Sequence, residues 1–244
     1  MHSSLIAWIL RAIPFGTIIM YGALGEIVTE KSGNLNLGVP GIMYLGGFAG
    51  FASAWAYENT AANPSGAVSV VIALTCAILA SMAGGLIYAF LTISLRANQN
   101  VTGLALTTFG MGVANFFGVF ILNGASYSAA PIANKAFSAK IPVLSTLGGF
   151  GQVVFSYGFL VYAAIALAIA LHALLLLLAR LLRRPLRLDV IERTCIIYTN
   201  AGILVIPLVR ALLGEDYVIY SCAFLVVQQV LLWTHCRSLL CGTR

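Results

Sequence analysis

Residues 160–184 read Leu160-Val-Tyr-Ala-Ala-Ile-Ala-Leu-Ala-Ile-Ala-Leu-His172-Ala-Leu174-Leu-Leu-Leu-Leu178-Ala-Arg180-Leu-Leu-Arg183-Arg184. No charge interrupts the run before Arg180, and arginines then follow at once. A helix needs about 20 apolar residues to cross the hydrocarbon core of a bilayer. A spanning β-strand instead shows alternating segments of about ten residues. The run is therefore read as a lipid-facing helix with a basic anchor at its end.

The rest of the chain has the same character. Of 244 residues, 61% are hydrophobic and 8% charged, and mean hydropathy is +0.99. A soluble domain is about 45–50% apolar and about 25% charged. This composition excludes a soluble globular domain and a disordered chain. Five cysteines in 244 residues are too sparse for a disulfide scaffold, and Cys76, Cys195, Cys222, Cys236 and Cys241, which form no CxxC pair and lie mostly in apolar runs, are read as free thiols.

The expected fold is all-α, a polytopic transmembrane helical bundle of about seven spans, near 5–28, 38–57, 67–95, 101–122, 156–179, 194–213 and 217–240. Arg11, Pro14 and Glu26 make an interfacial or broken helix the rival reading of the first span, and no cleavable leader is evident before it. The third is long enough to tilt or project. Residues 58–65 read as a turn. The interval 123–155, rich in Gly, Ser, Asn and Pro, reads as a loop, although Ile141 to Leu147 has the apolar content of a short surface helix.

Basic residues collect on the cytoplasmic side of a membrane. If Arg180, Arg183, Arg184, Arg187 and Arg193 face the cytoplasm, alternation places Lys31, Arg96, Arg237 and Arg244 there and Lys135 and Lys140 outside. The amino terminus is then outside and the carboxyl terminus inside. The net charge of +6 reflects this distribution, since no aromatic-interleaved basic groove for nucleic acid appears. His2, His172 and His235 lack metal-ligand spacing, no Gly-rich loop with GKT or GKS is present, and no nucleophile–base arrangement stands out. Neither a metal, a cofactor nor an enzyme active site is expected.

Polar residues concentrate in two places. Gly25 to Gly41 carries Glu26, Glu30, Asn34, Asn36 and four glycines between apolar spans, a set that needs a wet or protein-lined setting. A plain interhelical turn with a capped second helix is the alternative reading. Arg96-Ala-Asn98-Gln99-Asn100-Val-Thr102-Gly103-Leu-Ala-Leu-Thr107-Thr-Phe-Gly110 opens a later span with amides and hydroxyls suited to capping. Gly103, Gly110, Gly112 and Gly118 would let helices pack closely along it.

The first stretch, Glu26-Ile-Val-Thr-Glu30-Lys-Ser-Gly33-Asn34-Leu-Asn36-Leu-Gly38-Val-Pro40-Gly41-Ile-Met43, resembles the signature of ABC-importer permeases of the simple-sugar and nucleoside type. That pattern runs close to GE-x-x-TE-x-x-G-x-x-NLG-x-EG-x-M. Pro40 stands where the family has an acid. The second stretch resembles the same family's AN-Q-x-V-T-G-L-A-L-T segment.

The resemblance covers about residues 1–172. It implies a translocation or substrate path through Glu30, Asn34, Asn36, Asn98, Gln99, Thr102 and Gly103. It also implies a bacterial inner-membrane setting, a separate ABC ATPase subunit, a second permease subunit and an extracellular substrate-binding protein. The family's cytoplasmic coupling motif is absent, for that place reads Leu-Leu-Arg-Arg-Pro-Leu-Arg-Leu-Asp-Val-Ile-Glu-Arg-Thr.

Residues 173–244 resemble another family. Tyr198-Thr-Asn200-Ala-Gly202-Ile-Leu-Val-Ile-Pro207 and Gly214-Glu-Asp-Tyr-Val-Ile-Tyr220 are similar to the auxin efflux carriers, where N-x-G-x-x-x-x-P lies on a broken crossover helix. The resemblance makes Asn200, Gly202 and Pro207 crossover-helix candidates, with a simple proline kink as the alternative. Three readings follow: an ABC-importer permease subunit, incomplete at its carboxyl end; an ion-gradient-driven carrier; or a hybrid membrane protein without activity.

Overall fold

The computed structural model describes residues 2–122, 130–142, 148–198, 229–230 and 232–241. All regular structure among them is helical. The helices are α1 (His2–Lys31), α2 (Val39–Thr60), α3 (Gly66–Ala89), α4 (Gln99–Leu122), α5 (Pro131–Phe137), α6 (Gly148–Phe155), α7 (Phe159–Leu182), α8 (Val190–Ile197) and α9 (Arg237–Cys241), with π-helical turns at Phe90–Ser94 and Leu232–Cys236. The expected all-α class holds for this part of the chain.

Four of these helical stretches are long and apolar enough to cross a membrane: Ile6–Lys31, Gly66–Ser94, Gln99–Ile121 and Phe159–Leu182. They match four of the expected spans. α2 fills the place of a fifth with 22 residues, about 33 Å of helix. Its glycines and its polar end, Glu58-Asn-Thr60, dilute its apolar content. The last two expected spans fall mainly on residues outside the described ones. α8 stops at Ile197, where Tyr198 turns extended at φ −102° and ψ 147°, so no continuous helix runs through the start of the span expected from 194.

One rival reading is set aside and one expectation changes. α1 is one helix despite Pro14, with the Thr17 hydroxyl donating to the Ile13 carbonyl at 2.8 Å on the turn around the proline. The interval expected to be a loop holds two short helices, α5 and α6. α5 starts on Pro131, whose fixed φ suits the first helical turn and whose missing N–H is not needed there. The patch from Ile141 to Leu147 lies almost wholly outside the described residues.

The chain divides into two compact units, one of residues 1–31 and 142–244, the other of residues 32–141. In the second, α2 packs on α3 and α4 through small residues, burying Gly41, Gly46, Gly50 and Ala54. Lipid tails are as apolar as leucine, so helices in a bilayer associate by close van der Waals contact, which small residues permit. At the crossing of α2 and α4, Gly41 and Gly110 meet backbone to backbone: a Cβ on Gly110 would stand 2.6 Å from the Gly41 carbonyl carbon. Gly103 likewise abuts the backbone nitrogens of Leu37 and Gly38, each 2.8 Å from where its Cβ would be. The other two glycines expected to pack closely do not, since Gly112 and Gly118 have nothing within 4 Å.

In the first unit, α7 buries Val161, Ala164, Leu175 and Ala179 and packs with α1 and α8. The Tyr21 hydroxyl on α1 donates to the Leu160 carbonyl at 2.8 Å.

Candidate functional site

The polar segments expected to line a path come together in the second unit. Residues 32–38 leave the helical conformation, with Gly33 at φ +85°, where glycine pays no steric cost. The segment after α3 also turns sharply, through the π-helical turn and Arg96 at φ +52°. These two breaks bring 32–38 against the start of α4.

Gln99 connects them. Its side-chain oxygen accepts the Leu35 N–H at 2.9 Å, and its nitrogen donates to Asn34 Oδ1 at 3.0 Å. Asn34 in turn donates to the Ser32 hydroxyl at 3.1 Å. Asn36, buried at 7% exposure, accepts the Gly38 N–H at 2.9 Å. Asn98 caps α4 by accepting the N–H groups of Asn100 and Val101 at 3.0 and 3.1 Å. Thr102 and Gly103 are buried on the first turn of α4 that follows. Six of the seven path candidates thus share one cluster. Glu30 lies on the last turn of α1 and belongs to the other unit.

Two residues outside the expected set complete the cluster. The Tyr88 hydroxyl on α3 donates to the Leu35 carbonyl at 2.5 Å, and the Thr107 hydroxyl on α4 donates to the Leu37 carbonyl at 2.8 Å. Both side chains are at most 5% exposed. The signal for Tyr88 was available, since a phenol inside an apolar run must find a partner for its hydroxyl. Between them, Gln99, Asn36, Tyr88 and Thr107 satisfy backbone groups of a non-helical segment, the condition under which irregular backbone is tolerated at membrane depth. The arrangement offers no nucleophile with a base. What it does chemically is hold amide and hydroxyl groups in a fixed, non-helical break beside a helix start.

A second acid contributes structurally. Glu58 at the end of α2 accepts from the Ser69 hydroxyl at 2.8 Å and from the N–H groups of Ile132 and Ala133 at 3.0 and 2.7 Å. In the other unit, the Lys31 ammonium donates to the carbonyls of Cys195 and Tyr198 at 2.6 and 3.0 Å, at the C-terminal end of α8 where a cation is favoured. Asp189 and Glu192 form a capping box at the other end of α8, with mutual backbone bonds of 2.7 and 2.8 Å. Asn200, Gly202 and Pro207 lie outside the described residues, and no group of three or more His, Cys, Asp or Glu suited to a metal occurs among the described ones.

Comparison with known proteins agrees with both resemblances. Residues 149–242 match the family described as membrane transport protein. A guanosine ABC transporter permease of Bacillus subtilis is 32% identical over 149 residues, 61% of this chain and 44% of that protein. A nucleoside ABC transporter permease of Lactococcus lactis is 24% identical over 143 residues, 58% and 43% of the two chains. A provisionally named glucose ABC transporter permease of Haloferax volcanii is 36% identical over 102 residues, 42% and 28%. The chain thus spans less than half the length of these relatives. No solved structure matches it. The family of branched-chain amino acid transport system permease components matches residues 8–184, which contain the whole polar cluster, and the chain belongs to that family.

Proposed function

We propose that the chain is a permease subunit of an ABC importer for a nucleoside or simple sugar, set in a bacterial inner membrane with its amino terminus outside and its carboxyl terminus inside. Residues 1–172 form the permease-like part and residues 173–244 a carrier-like part that completes about seven spans. A separate ATPase subunit hydrolyses ATP, and a second permease subunit and an extracellular substrate-binding protein complete the importer. The observation that carries this reading is that residues 8–184, which match the permease family, include the Asn34–Gln99 cluster. A second reading, an ion-gradient-driven carrier of the auxin efflux type, is favoured by the match over residues 149–242.

Guanosine uptake by a strain lacking its own nucleoside permeases separates the readings. The importer reading expects uptake to fail on ATP depletion and the chain to co-purify with an ATPase. Uptake that survives ATP depletion and fails with an uncoupler supports the carrier. Absence of both uptake and ATPase co-purification supports an inactive hybrid.

The path residues have their own test. Asn36→Ala strands the buried Gly38 N–H, and leaving such a group unpaired costs about 1–3 kcal/mol. Asn98→Ala removes a helix cap worth about 0.5–2 kcal/mol. In an otherwise intact permease both substitutions are expected to lower uptake, Asn36→Ala by about tenfold if it forfeits near 1.4 kcal/mol, while membrane insertion persists. Wild-type uptake by both variants would remove these residues from the path.

A further inference from the structure

At the end of α7 the first unit holds a cavity of about 300 Å³ lined by Leu176, Ala179, Arg180, Arg183, Arg193, Ile197 and His235. Its walls are one face of α7, where the lining residues recur at helical spacing, one face of α8 through Arg193 and Ile197, and the π-helical turn that carries His235. Three arginines therefore border one space, Arg180 and Arg183 exposed and Arg193 half-buried. No carboxylate is among the described residues that line it. The nearest acids in sequence, Asp189 and Glu192, are engaged in the capping box of α8.

Two details separate this cavity from a solvated basic surface. The Arg193 Nε is buried and has no hydrogen-bond partner, a position in which a polar group is costly unless something accepts from it. The His235 ring is held by the Tyr198 hydroxyl at Nδ1, 2.5 Å away. When the hydroxyl donates to Nδ1, the ring proton sits on Nε2 and the imidazole becomes a second kind of donor at the cavity.

We propose that this cavity binds a phosphate group. Guanidinium forks match phosphate oxygens in pairs, and a phosphate offers oxygens to three arginines approaching from two helices, where a carboxylate offers only two. The cavity also stands where the apolar span Phe159–Leu182 ends, the depth at which lipid headgroups meet a membrane protein, and basic pockets between helices at that depth take anionic headgroups. The volume lies at the lower end of the range for ligand sites, about 300–1,000 Å³.

The test uses the purified full chain in detergent. Native mass spectrometry reads retention of dioleoyl-phosphatidylglycerol against dioleoyl-phosphatidylcholine, and calorimetry reads inorganic phosphate. Arg180→Gln, Arg183→Gln and Arg193→Gln are compared with Lys140→Gln, an equal charge change outside the cavity, and circular dichroism checks that each variant is folded. The expected result is selective retention of phosphatidylglycerol, weakened about tenfold or more by each arginine change, since bonds to charged groups are the stronger kind, and unchanged by Lys140→Gln. Phosphate binding lost in the same variants supports the site with soluble phosphate as its ligand. Retention equal in all variants overturns the proposal. So does a lack of preference for phosphatidylglycerol together with no phosphate binding. Arg180, being exposed, keeps the test decisive if Arg193→Gln disturbs α8.

Discussion

Gly41→Ala is expected to separate α2 from α4 and unfold the unit of residues 32–141, whereas Gly112→Ala on the same α4 should leave it as stable or slightly more so. The added methyl at position 41 would stand 2.5 Å from Thr107 Cα and 2.7 Å from the Leu106 carbonyl carbon, far inside the 3.0 Å that real Cβ atoms keep. Both obstacles are backbone, so no rotamer change relieves them and the helices must part. Overpacking of this kind costs about 1–3 kcal/mol and occasionally more; with no flexible atom to yield, Gly41→Ala belongs at the upper end.

Parting the helices also loosens two bonds that depend on their separation, Thr107 to the Leu37 carbonyl and Gln99 to the Leu35 N–H. At position 112 a methyl meets nothing within 4 Å, and alanine gains about 0.5–1 kcal/mol over glycine in a helix interior. Thermal unfolding of the two variants in detergent, followed by helical signal, reads the difference. Equal midpoints would show that the glycine crossing does not hold the unit together.

The opposite signs at Gly41 on α2 and Gly112 on α4 show which part of the fold was legible in the sequence. Spans were legible where the signal is local: a run of apolar residues of sufficient length identifies itself, and α1, α3, α4 and α7 fall where that length places them. Which glycine meets a partner is not local. Gly103 and Gly110 are seven residues apart, about two turns, and so share a face, while Gly112 lies about 200° round from Gly110 at 100° per residue. Only the position of α2 decides which of these faces is the crossing.

The candidate cluster divides in the same way. Asn34, Asn36, Asn98 and Gln99 were legible as a group through their resemblance to permease segments, and they do converge. Their partners were not, because the groups they satisfy are backbone atoms of residues 35 and 38 and the first turn of α4. Tyr88 and Thr107 enter for the same reason. The helix α5 was missed because its residues alone favour a turn, with Pro131 and Asn134 in a stretch flanked by Ser and Gly. The first turn of that helix is held by an acid more than seventy positions earlier in the chain.

That acid carries the second large effect. Glu58→Ala is expected to release α5 from the ends of α2 and α3, because one carboxylate there satisfies three donors. Ser69 is fully buried, and Ala133 sits with Ala54 and Ala73 in the small core beneath α5. Each donor left unpaired in such a place costs about 1–3 kcal/mol, and the first turn of a short helix loses a favourable negative charge as well. Glu58→Gln retains one acceptor oxygen but turns an amide donor toward donors, so its effect should fall between that of the alanine change and the unaltered chain.

Amide hydrogen exchange at Ile132 and Ala133 measures this locally. Protection at both is expected to drop about tenfold or more in Glu58→Ala, the equivalent of a single lost bond to a charged group. Adding Ser69→Ala should cost less in that background than alone, since the hydroxyl it removes is already stranded, a coupling that residues in direct contact show and distant ones do not. Unchanged protection in Glu58→Ala would mean that α5 holds itself in place through its apolar contacts, with Gly66 packed against Ala136 and Ile132. The carboxylate would then be an ornament of the helix end and not its cause.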